Sequence, residues 1–189
     1  MRIRKSAGIF DAYGIYLRFI DIPQLLTNKT NYKIDVGFKY FSKTIQQFID
    51  EDGLILIPEF QRGHVWTEEQ QEKYVEYILK GGASGKEIFL NKPSWHCKAV
   101  SDYDDFVCVD GLQRITAIMK FQANQLKVFG LHYNEFEGEP REIATRLQIR
   151  INDLQYEKDV LQWYIEMNAG GTPHSKEEIA RVQKMMEEL

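Results

Sequence analysis

Cysteine is scarce in this sequence of 189 residues: there are two, Cys97 and Cys108. They lack the spacing of a metal knuckle or a disulfide framework and read as reduced, buried thiols. The four histidines, His64, His96, His132 and His174, form neither an H-E-x-x-H pair nor an HNH-like cluster, so no metal-nuclease centre is expected. Long apolar runs are missing too. None approaches the roughly 20 residues that span a bilayer, and the basic start Met1-Arg2-Ile3-Arg4-Lys5 is not followed by a signal-peptide core. A cytoplasmic protein without a membrane partner is expected. Nor does positive charge prevail. Lys and Arg number 24 against 28 Asp and Glu, for a net charge of -4, so no overall basic field draws DNA to the molecule. Lys98, Lys127, Arg141, Arg146 and Arg150 are scattered without interleaved aromatics and read as a solvated face, although a local basic patch stays open.

What is present is enough for one core, with 43% apolar and 13% aromatic residues. No repeat, low-complexity segment or linker divides the chain, so we expect a single α/β (α+β) domain over residues 41–189, preceded by an N-terminal arm over 1–40. The spacing of Ile45, Phe48 and Ile49 predicts a helix ending at Gly53, and Leu54-Ile55-Leu56-Ile57 before Pro58 predicts a buried strand. Thr67-Glu68-Glu69-Gln70 is a capping box opening a helix to about Lys80. Residues 88–90 and 106–109 predict a strand pair joined through the polar turn 101–105. A helix follows from the Asp110-Gly111 turn to about Asn124, then strands over 126–136 and 146–151 and a helix over 158–167. Ser175-Lys176-Glu177-Glu178 is a second capping box before a last helix. Its apolar face is Ile179, Val182 and Met186, and its cations Arg181 and Lys184 lie toward the end that favours them.

Chemistry concentrates in two strand exits. In Val107-Cys108-Val109-Asp110-Gly111-Leu112-Gln113-Arg114, a strand ends in a glycine turn that opens a helix, so free backbone N–H groups face an incoming anion. Gly111 lets a phosphate approach, Arg114 can pair with its oxygens, and Asp110 can hold a divalent metal or polarise a water. The plain alternative is an Asp-Gly helix cap. The second exit, Pro58-Glu59-Phe60-Gln61-Arg62 with Val65-Trp66, carries the same Gln-Arg pair. Alone it reads as a surface turn pinned by Phe60 and Trp66. Two such loops together suit a phosphate clamp. His64, close by, reads as a turn histidine that could assist at the phosphate.

These segments also carry a resemblance. Pro58-Glu59-Phe60-Gln61-Arg62 with Trp66, then Asp110-Gly111-Leu112-Gln113-Arg114-Ile115-Thr116-Ala117, then Met167-Asn168-Ala169-Gly170-Gly171-Thr172 before Ser175, resemble in order the three signatures of the GmrSD-type restriction N-terminal domain family. The likeness spans about residues 41–182 and leaves the first 40 untouched. It implies a ParB/sulfiredoxin-like fold with a small mixed sheet flanked by helices. There a DGQQR motif binds and hydrolyses nucleoside triphosphates, sometimes gating an HNH nuclease that attacks modified DNA. By position it assigns Asp110, Gln113 and Arg114 to catalysis with Asp110 on Mg2+, and Gln61, Arg62, Gly111, Thr116 and Asn168 to the nucleotide and its phosphates. Two departures stand out: Leu112 replaces the motif's first Gln, and a chain ending at Leu189 leaves no room for a nuclease, which points to a separate partner. A leucine cannot hydrogen-bond to a water, so turnover would suffer if that Gln positions it.

Three readings follow. The first is a magnesium-dependent NTP or dNTP hydrolase. The second is a module that binds a nucleotide or a DNA phosphate without turnover, as the sensing half of a defence or phage-related system. The third is an interaction protein that lost its pocket, against which the intact Gln-Arg pairs argue.

Overall fold

The computed structural model describes residues 32–96, 98–169 and 176–189. Cys97, His174, the Gly170-Gly171-Thr172 run, the Ser175 cap and residues 1–31 of the expected arm lie outside the described residues. The elements run β1 (Tyr32–Gly37), α1 (Phe41–Asp52), α2 (Glu68–Leu79), β2 (Glu87–Asn91), β3 (Val107–Asp110), α3 (Leu112–Gln122), β4 (Arg146–Asn152), α4 (Glu157–Ala169) and α5 (Lys176–Glu188).

Local chemistry accounts for most boundaries. Gly53 ends α1 at φ 72°, a left-handed stop that costs glycine nothing. The Thr67 box opens α2 as expected, with the Gln70 amide on Thr67 Oγ1 at 3.2 Å and the Thr67 amide on Gln70 Oε1 at 2.9 Å. Among the described residues no helix is long and apolar enough to cross a membrane.

The four strands form one mixed sheet in the order β1-β4-β2-β3. β4 pairs antiparallel with β1 and parallel with β2, and β2 pairs antiparallel with β3. Successive side chains on a strand alternate between its faces, so each strand feeds two layers. Val36, Ile88, Leu90, Cys108, Leu147, Ile149 and Ile151 face one core, closed by Phe41 and Ile45 of α1, Val75 and Ile78 of α2, and Ile115 and Ile118 of α3. On the other face Phe89, Val107 and Val109 meet Val160, Leu161, Trp163 and Tyr164 of α4 and Val182 of α5. Further along that second face β4 carries Arg150 instead, ion-paired with Glu87 and lying 5.6 Å from the Phe89 ring. The architecture is a small α+β unit with helices on both sides of a mixed sheet.

Three segments differ from their sequence reading. Residues 32–37, within the stretch read as an arm, form the edge strand β1. Residues 54–57 are not a strand: only Ile55 bridges β3, its N–H on the Phe106 carbonyl at 2.8 Å, and Ile55 and Ile57 stay exposed. The ladder stops after Ile55, and the Cys108 carbonyl that a paired Ile57 would use accepts Gln61 Nε2 at 2.9 Å instead. Residues 126–136 are not a strand either. Phe129 and Gly130, at φ 53° and 77°, fold a tight turn closed by a Val128–Leu131 bridge, and a 3-10 turn over Tyr133–Glu135 follows. Leu126 and Val128 reach the core while Phe129 and Leu131 remain in solvent, so the alternation in this stretch reports a turn rather than a sheet edge.

Candidate functional site

β3 sends Cys108 toward the α1–α3 core and ends at Asp110, which pairs with Phe89 across an irregularity in the β2–β3 ladder. There the first turn of α3 brings up Arg114, whose Nη2 donates to Asp110 Oδ2 in a direct ion pair. Between them Gly111 is the N-cap residue at φ 118°, and no side chain caps this helix start. The plain Asp-cap alternative is thereby corrected: Asp110 stands one residue ahead of the cap and uses its carboxylate on Arg114. The turn also lies hard against β2, since a Cβ at position 111 would come 2.7 Å from Ile88 Cδ1. Glycine is required on both counts.

The two motif glutamines have defined tasks. Gln113 Oε1 accepts the Val65 and Trp66 amides at 3.0 and 3.1 Å, and its Nε2 donates to the Gly63 carbonyl at 3.2 Å. Buried Gln61 donates from Nε2 to the Cys108 carbonyl at 2.9 Å. The upstream loop is therefore tied at residue 61 to β3 and over 63–66 to α3, with Arg62 held between the ties. Replacing Gln113 with Ala removes three hydrogen bonds. The expected result is faster hydrogen exchange at the Val65 and Trp66 amides and a loss of about 1–3 kcal/mol in urea unfolding. Unchanged exchange at both amides would contradict the tie.

The last helix completes the surroundings. Arg62 Nη1 lies 3.5 Å from Glu178 Oε2 of α5, and Arg181 donates to the Glu59 and Phe60 carbonyls at 2.8 and 2.9 Å. Phe60 packs edge-on against Tyr164 of α4 at 5.2 Å between centroids. Sequence reading missed Glu178 and assigned Arg181 to its own helix end. Arg181 instead satisfies carbonyls of the motif loop. The available signal was two opposite charges three residues apart, flanking the apolar Ile179 and Val182. Thr116 and Asn168 bond within their helices, Thr116 Oγ1 to the Leu112 carbonyl at 2.9 Å and Asn168 Nδ2 to the Tyr164 carbonyl at 2.7 Å. Leu112, the departure from the motif, is a buried core residue, so an amide on this backbone position would be buried as well.

Electrostatics separates the reactive groups from the inert ones. Burial, reinforced by Asp110, pushes the Cys108 thiol up to about 12, against opposing pulls from Gln61 and Arg114. A thiol so placed is no nucleophile. Burial also holds the His64 imidazole below its usual value, with Lys120 adding to the effect, and raises the Tyr74 phenol despite Arg114 nearby. His64 Nε2 and Arg114 Nε are buried without a hydrogen-bond partner among the described residues. No group of three or more His, Cys, Asp or Glu that could hold a metal ion occurs among the described residues. Asp110 thus offers one carboxylate, a donor set that suits Mg2+ only when substrate phosphates supply further ligands.

A family model described as the GmrSD restriction endonuclease, N-terminal domain, matches residues 39–146. The match contains both the 58–66 loop and the 110–117 turn and stops before Asn168. No curated protein and no solved structure matches the chain.

Proposed function

From the premise that this chain belongs to the GmrSD restriction endonuclease N-terminal domain family, we propose that it is the nucleotide-binding part of a restriction-type defence system. It seats the phosphates of an NTP or dNTP on the Asp110–Arg114 turn, within a ParB/sulfiredoxin-like fold. The observation that carries the reading is the double tie of the upstream loop: Gln61 on β3 and Gln113 on α3 hold Arg62 beside the turn that bears Arg114. Arg62 on this loop and Arg114 in the first turn of the uncapped helix would together cradle a phosphate, since each guanidinium adds charge-assisted hydrogen bonds to those of the amides.

Both guanidiniums already face carboxylates, Arg114 with Asp110 and Arg62 with Glu178. Phosphate binding is therefore an exchange of partners: Arg114 turns from Asp110 to a phosphate oxygen, and Asp110 is released. Mg2+, when bound with the nucleotide, would neutralise phosphate charge and polarise the transferring phosphoryl group. Asp110 is the residue that would hold it. Gln61, Gln113 and Gly111 orient the cradle. Thr116 and Asn168 stand on its flanking helices.

A second reading, binding without turnover, is favoured by one feature. Gln113 spends both ends of its amide on backbone and Gln61 its Nε2, so turning either toward an attacking water breaks a loop tie. In that reading the domain senses a nucleotide or a DNA phosphate in the cytoplasm and passes the signal to a nuclease partner.

The test is a paired assay with NTPs and dNTPs plus Mg2+, with binding read by calorimetry and product by chromatography. Arg114→Ala is expected to weaken binding by about 1.5–3 kcal/mol. Product that disappears in Asp110→Ala establishes hydrolysis, and binding without product establishes the sensor. Affinity unchanged in Arg114→Ala would remove the turn from the site.

A further inference from the structure

Away from the candidate site, at the far end of α3, lies a cavity of about 440 Å³ that neither motif reaches. Its floor is aromatic. Phe121, at the end of α3, meets Tyr133 at 5.3 Å and 84°, Phe136 at 5.8 Å and 90°, and Phe38 at 6.3 Å between centroids. Its rim is acidic: Glu137, Glu139 and Glu142 line it, with Lys39 at 2.6 Å and Arg141 at 3.7 Å both paired to Glu139 and the Glu142 carboxylate accepting the Glu139 amide at 3.1 Å. Pockets of this volume accept a ligand group of side-chain size or larger, and ring faces under carboxylates attract a cation with an apolar stem. The same chain segment already offers one ring in this way, with Lys80 Nζ lying 4.8 Å from the Phe129 centroid.

We propose that this cavity docks a basic side chain, an arginine with apolar neighbours, presented by a partner polypeptide. The three carboxylates outnumber Lys39 and Arg141 by one, and this excess supplies the charge complement and repels the polyphosphate ligand assigned to the other site. A polypeptide fits better than a free small cation because Phe136 and Ile143 on the rim are 39% and 37% exposed. A larger body covers that apolar surface, whereas a free cation seated on the floor leaves it wet.

The experiment uses the full chain, labelled with nitrogen-15, and the synthetic peptide acetyl-Leu-Arg-Phe-Arg-Leu-amide as probe, with a Glu-for-Arg peptide as control. Amide shifts confined to residues around 133–143, saturable and weakened by added salt, are expected with the basic peptide alone. Phe136→Ser, at a position exposed enough to tolerate the change, is expected to weaken binding at least tenfold, and Glu137→Gln several-fold. Equal binding of the acidic peptide, shifts elsewhere on the surface, or no saturable shift would each overturn the proposal. None of these outcomes depends on whether nucleotide binds.

Discussion

Gly111→Val is expected to lower the free energy of unfolding by about 2–5 kcal/mol, a large share of the roughly 5–15 kcal/mol that stabilises a typical domain. Two independent costs combine. A side chain at φ 118° takes a backbone region that L residues rarely adopt, about 1–2 kcal/mol for a simple residue and more for a β-branched one. Its Cβ would also lie 2.7 Å from Ile88 Cδ1 and 3.3 Å from Ile88 Cα, where overpacking costs about 1–3 kcal/mol. Gly53 supplies the control, because it has φ 72° and nothing within 4 Å of its would-be Cβ. Valine there carries the conformational cost alone. Urea unfolding of both variants reads the difference. Equal losses would mean that the approach of the turn to β2 contributes nothing.

The second large effect is expected at Trp163, fully buried on α4 and edge-on to Phe89 at 6.1 Å and 88°. Trp163→Ala opens a cavity between α4 and the sheet at a cost of about 3–5 kcal/mol. Trp163→Phe is expected to cost much less. The indole Nε1 is buried without a partner among the described residues, so its removal relieves a desolvated donor while most of the ring contact survives. The order Ala, Phe, wild type in urea midpoints checks this. A phenylalanine variant as unstable as the alanine variant would show that the indole nitrogen is satisfied in the folded protein.

The fold was legible where the cause is local. The Thr67 box, the glycine stop at Gly53 and the apolar spacing of α1, α2 and α3 all act within a few residues, and the structure follows them closely. Where the cause is distant, sequence patterns were ambiguous. β1 has one buried residue, Val36, and owes its form to pairing with β4, more than a hundred residues away. The apolar run at 54–57 had the composition of a strand but only one residue of sheet edge to meet. The candidate site shows the same division. That Asp110, Gly111 and Arg114 share a turn is a local fact, readable from strand, glycine and helix. That Gln113 reaches the amides of 65 and 66, and that α5 supplies Glu178 and Arg181, are facts of tertiary packing. A polar residue after a strand announces a partner without saying which.

The strand order also decides when the sheet can close. β4 is the last strand in sequence, yet it lies between β1 and β2, pairing Tyr32 with Ile151 and Ile88 with Ile149. Contacts of such long sequence separation carry a loop-closure cost before they return any stabilisation, which slows folding. The hairpin of β2 and β3 with α3 can form early, from neighbouring sequence, but β1 has no strand to pair with until residues 146–152 arrive. During synthesis the sheet therefore stays open at its middle until residues 146–152 have emerged. A fragment cut to the matched span 39–146 would lack both β1 and β4, leaving one edge of β2 bare.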